Sequence, residues 1–112
     1  MNNDKFNQLI LDVYKKWKTL KRIMNIELCG FQKVYNFSGY IYGEDLEGSF
    51  LNIIDSENIH EVINEVKPKL LVLKSRLTNQ EIGIYKDDIT DYIIDDNLLI
   101  IRNEDEEIMF QM

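Results

Sequence analysis

The chain has 112 residues, 45% of them hydrophobic and twelve of them aromatic, with a formal net charge of −7. That length supports one domain with its own core, and the apolar content excludes a disordered chain despite 29% charged residues. The lone cysteine, Cys29, excludes an internal disulfide, and the longest apolar runs, Leu70–Leu73 and Leu98–Ile101, fall far short of the about 18 residues of a membrane span.

The start, Met1 to Lys5, lacks the basic-then-apolar layout of a signal peptide, so a cytoplasmic location is expected. Alanine is absent and proline occurs once, while isoleucine and asparagine abound. This bias points to an AT-rich coding sequence, as in a low-GC bacterium or a virus or mobile element of one.

Residues 4 to 25 predict an amphipathic helix. Phe6, Leu9, Ile10, Val13, Trp17, Leu20 and Met24 recur at spacings of three and four and form one apolar stripe. Asn2, Asn3 or Asp4 can cap its start. Lys15, Lys18 and Arg22 project from the opposite side, with Leu11 among them and Lys16 and Lys21 flanking the stripe.

From Phe31 the period changes to two. Tyr35–Tyr42 reads as a strand, Gly43–Gly48 as a turn and Ser49–Ile54 as the returning strand of a hairpin. Ser56–Val66 is a short helix with Ile59, Val62, Ile63 and Val66 on one face, closed by Pro68. Beyond it, Lys69–Leu77, Ile82–Tyr85, Ile89–Ile94, Leu98–Arg102 and Ile108–Met112 read as short strands of an antiparallel meander. Residues 86–94 also fit a helical period. The expected fold is one α+β domain over residues 1–112: a hairpin and a C-terminal meander with a long N-terminal helix and a short middle helix.

Catalytic patterns are sparse. Cys29 and His60 are each the only residue of their type, and nothing in the sequence places them together; a small core cysteine is the commoner outcome. Asp55, Glu65 and Lys67 loosely match the acid and acid-x-lysine set of Mg²⁺-dependent nucleases, but Glu65 and Lys67 fall at a helix end instead of on a core strand. The acids from Asp87 to Asp96 lack the spacing of a calcium loop, and phosphate-cradling and zinc motifs are absent. No enzyme, cofactor or metal is expected.

Charge is sorted along the chain. Residues 1–40 carry seven Lys/Arg and three Asp/Glu, whereas residues 41–112 carry six and seventeen. Within residues 81–112, ten acids face only Lys86 and Arg102. Asp87, Asp88, Asp91, Asp95, Asp96, Glu104, Asp105, Glu106 and Glu107 are therefore the candidate partner-binding residues, since a negative face steers toward basic partners.

The expected role is a small acidic binding protein: an inhibitor of immunity or antitoxin type, or a virus-encoded factor against a host enzyme. Its partner would be a basic protein such as a toxin or a nucleic-acid-handling enzyme. The alternative is a nucleic-acid-associated accessory protein using Lys15, Lys18 and Arg22. The Mg²⁺-dependent nuclease ranks last. No membrane partner is expected, and open strand edges make a homodimer feasible. Glu104–Met112 resembles, in composition alone, the acidic-then-apolar tails that dock on DNA-replication proteins; alternation of Ile108, Phe110 and Met112 favours an edge strand instead.

Overall fold

The computed structural model describes residues 1–20, 24–30, 33–36, 40–45, 48–53, 59–75 and 78–112. Of residues 19–20, 24–25, 33, 36, 40–45 and 48–53 it describes the backbone alone. Helix α1 spans Asn3–Leu20 and buries the apolar stripe that its period requires. Phe6, Leu9, Ile10 and Val13 are fully buried, and Trp17 stacks on Tyr14 with ring centroids 6.1 Å apart. Asn2 caps the helix, its Oδ1 accepting from the Lys5 amide at 2.8 Å. Leu11, expected outside the core, is half-buried and packs against it.

The helix is shorter than its sequence period suggests. Met24 opens strand β1 (Met24–Cys29), whose Ile26 and Leu28 are buried at a spacing of two. At Met24 the two periods coincide, and its pairing with Ser75 decides for the sheet.

The expected strand Tyr35–Tyr42 is in fact two. Strands β2 (Lys33–Asn36) and β3 (Tyr40–Asp45) pair with each other, Tyr35 opposite Ile41. Alternation alone continues unchanged through a reversal, which is why one run concealed a hairpin. Strand β4 (Gly48–Ile53) follows, Asp45 pairing with Gly48, so the turn is narrower than Gly43–Gly48.

Helix α2 (Ile59–Val66) buries Ile59, Val62, Ile63 and Val66 as expected. Its assigned start at Ser56 lies outside the described residues. Lys67, at φ 49°, takes the left-handed conformation of a helix C-terminus, its amide donating to the Ile63 carbonyl at 2.9 Å. Strands β5 (Leu70–Ser75) and β6 (Glu81–Tyr85) then turn through Thr78–Gln80, where Asn79 is left-handed.

The strands after Pro68 are not one meander. β5 inserts between β1 and β6, giving a six-stranded antiparallel sheet of order β4-β3-β2-β1-β5-β6. Strands β7 (Asp91–Asp95), β8 (Leu98–Arg102) and β9 (Glu107–Gln111) form a separate three-stranded antiparallel sheet. Residues 86–88 are a turn and Ile89 is buried before β7 begins, so the segment 86–94 is turn and strand, not helix. Both sheets and both helices share one core that includes Leu71, Leu73, Leu99, Ile101 and Phe110. The class is α+β, and among the described residues no helix is long and apolar enough to cross a membrane.

Candidate functional site

The topology divides the nine candidate acids between two ends of the small sheet. Asp87 and Asp88 occupy the turn into β7, and Glu104 and Asp105 occupy the β8–β9 turn. These four line one depression of about 750 Å³ beside Met1, Thr90 and Asn103, and the Met1 ammonium is held there by the carbonyls of Lys86 at 3.1 Å and Ile89 at 3.0 Å. Asn103 shapes its turn by accepting from the amides of Asp105 at 3.0 Å and Glu106 at 2.8 Å. Thr90 ties the other wall to β8 by donating from its amide and its hydroxyl to the Arg102 carbonyl. All four carboxylates are exposed, and among the described residues none pairs with a cation.

Asp95 and Asp96 sit at the opposite end, in the β7–β8 hairpin. Asp96 has φ 54°, and Asp tolerates this left-handed geometry better than most residues. Its presence there is thus accounted for by the turn. Glu107 accepts from Arg102 Nε at 2.9 Å, and Asp91 meets Lys5 Nζ at 2.8 Å, so these two acids are locally compensated. Glu106 remains exposed beside the cluster.

The Lys5–Asp91 pair joins the basic helix to the acidic sheet. Tyr92 adds to it, its hydroxyl donating to Asp12 Oδ2 at 2.8 Å. Burial, then the bond to Asp12, pushes the Tyr92 phenol well above its ordinary value. Lys5, Asp12, Lys15, Lys16 and residues of β7 line an open groove of about 850 Å³. Neither Asp12 nor Tyr92 is marked by any motif, because their contact depends on where a helix crosses a strand about eighty residues away.

Asp91 is held below the ordinary aspartate value of 3.8 by the Lys5 hydrogen bond first and by the Tyr92 amide second. A depressed folded-state value favours the fold above 3.8, and that contribution is lost as pH falls below 3.8 through the folded value. Lys5→Ala is expected to move the Asp91 midpoint up toward 3.8, read from its carboxyl carbon shift in an NMR titration. An unmoved midpoint would show that the Lys5 contact is absent in solution.

The basic face is only partly in view. Lys15 and Lys18 are exposed, and the Lys18 ammonium lies 5.1 Å from the centre of the Tyr14 ring. Arg22 lies outside the described residues. Cys29 is half-buried at the end of β1, and burial followed by the Glu27 charge pushes its thiol up, away from the reactive thiolate. Gly30, next to it, abuts Val66 at the far end of α2 from the exposed His60, so the topology does not bring Cys29 and His60 together. Glu65 and Lys67 are exposed at the end of α2, while Asp55 lies outside the described residues. Among the described residues no group of three His, Cys, Asp or Glu side chains is arranged to hold a metal ion. The segment Glu104–Met112 folds as turn and edge strand, with Phe110 and Met112 buried.

No protein-family model, curated protein or solved structure matches the chain.

Proposed function

We propose that the protein is a small, non-enzymatic inhibitor that engages a basic surface of a protein partner through its acidic C-terminal third. Immunity, antitoxin-like and virus-encoded anti-host factors are the concrete forms of this reading. The supporting observation is the depression at the end of the small sheet, where Asp87, Asp88, Glu104 and Asp105 converge from two separate turns. Four carboxylates against the single Met1 ammonium leave the depression net negative, and a cationic partner relieves the remaining repulsion. Such a field acts chiefly on association rate and is screened over about 8 Å at physiological salt.

The test reverses the four acids to lysine in the full chain, with affinity capture from the source cells as readout. Recovery of a basic partner by the native chain, lost with the reversed chain and weakened by salt, is the expected result. With a recovered partner in hand, the reversal is expected to slow association by about tenfold or more at low salt. Equal recovery by both chains would remove the acidic cluster from the mechanism.

The second reading, nucleic-acid binding through the basic helix, draws on Lys15 standing exposed over the groove between α1 and β7. A mobility shift with DNA or RNA at low salt, abolished by Lys15→Ala with Lys18→Ala, would favour it over the first.

A further inference from the structure

The outward face of the three-stranded sheet departs from the pattern of a solvated surface. Its central strand reads Leu98-Leu99-Ile100-Ile101. Antiparallel strands with one wet face alternate apolar and polar residues, and unbroken apolar runs belong to strands covered on both faces. Leu99 and Ile101 are buried in the core, so Leu98 and Ile100 point the other way. The pairings bring Ile93, Ile100 and Met109 into one row across all three strands. Ile93 is 39% exposed and Met109 55%, an apolar row open to a partner.

At its β7 edge this row borders the groove lined by Lys15 and Lys16, and acids stand on either side of it, at both ends of the strands. At one end are Asp95 and Asp96, which have no cation partner among the described residues. At the other, beyond the compensated Arg102–Glu107 pair, are Glu106 and the β8–β9 turn. From Leu98 to Asn103 the face runs roughly 17 Å at about 3.4 Å per residue, and three strands make it about 10 Å wide. That is the footprint of about three turns of α-helix.

We propose that this face docks a basic amphipathic helix of a protein partner, apolar side chains on the Ile93–Ile100–Met109 row and Lys or Arg toward each acidic end. The proposal rests on the acidic-inhibitor reading and names the kind of element that reading requires. A helix fits because its backbone groups are bonded internally, whereas an extended segment laid on an apolar face would leave its amides unpaired. A second copy does not fit. Two such faces would set acid against acid, and the chain's own basic helix has its apolar stripe committed to the core.

The experiment titrates a synthetic Leu/Lys amphipathic helix of about three to four turns into the isotope-labelled full chain at low salt. Amide shift changes centred on Ile93, Ile100 and Met109 are expected. Met109→Lys is expected to weaken binding at least tenfold, and Asp95→Lys with Asp96→Lys to weaken it and flatten its salt dependence. Met109→Gln, which adds no charge, is the second variant should the lysine disturb the sheet, and is expected to weaken binding about threefold or more.

Shifts confined to Asp87, Asp88, Glu104 and Asp105, with Met109→Lys and Met109→Gln binding normally, would overturn the docking face and leave the acidic reading standing. No binding at all would overturn the docking face, while the acidic reading would still be decided by the affinity capture with the reversed chain. A dimer in sedimentation that Met109→Lys dissociates would make a second copy the occupant, against the proposal.

Discussion

Gly30→Ala is expected to destabilise the protein by about 3 kcal/mol, measured as a lower midpoint of urea unfolding. The reason is proximity, not backbone freedom. A methyl group at Gly30 would overlap the carbonyl oxygen of Val66, at the last residue of α2. That oxygen cannot retreat cheaply. Lys67 follows it in a left-handed turn fixed by the Ile63 carbonyl, Pro68 behind it is buried, and the Lys69 amide donates to the Cys29 carbonyl at 2.8 Å. The connection from α2 into β5 is thus laid directly across the end of β1. Val66→Ala combined with Gly30→Ala separates the two possible sources of crowding. Because the overlap is with the backbone, trimming the Val66 side chain is expected to restore nothing. Recovery of stability in the double variant would refute the backbone contact.

Phe110→Ala is expected to cost about 3–5 kcal/mol, against no more than about 0.5 kcal/mol for Met109→Ala next to it. Phe110 is fully buried and pairs across β8 with Leu99, which is fully buried too. Removing the ring opens a cavity where the small sheet meets the shared core. Met109 points to the other face and is 55% exposed. The contrast between adjacent residues is a test of register, since a slip of one residue would exchange the two costs. Equal losses in the two variants, by urea unfolding, would show that β9 is not placed as described.

The two helices and the β7–β8 hairpin were legible in the sequence because each has a local cause, whereas the β2–β3 hairpin was hidden in one alternating run. The stripe from Phe6 to Trp17 has one period, the Ile59–Val66 face has another instance of it, and Asp95–Asn97 carries turn chemistry. What was not legible is long-range. Leu70–Ser75 is recognisable as a strand, yet nothing within it says that it pairs with Met24–Cys29 as well as with β6. For the same reason one meander in the sequence became two sheets. The acids were legible as a charge excess, but their division between two ends of a sheet follows from register. Compensation of Asp91 by Lys5, eighty-six positions earlier, follows from packing.

The pairing of Cys29 with Leu70 carries a further consequence, for the order in which the chain assembles. Every other pairing in either sheet joins strands that are neighbours in sequence. Strands β7, β8 and β9 close through turns of a few residues, and such closures are fast. The β1–β5 ladder must instead bring together ends separated by about forty residues, an entropic cost of about 3 kcal/mol on the simplest loop-closure scaling. Contacts within β2, β3 and β4 and the turns of α2 shorten that span before it closes. On this topology the hairpins of the acidic sheet are expected to close early, and the β1–β5 ladder of the large sheet to be the slow step.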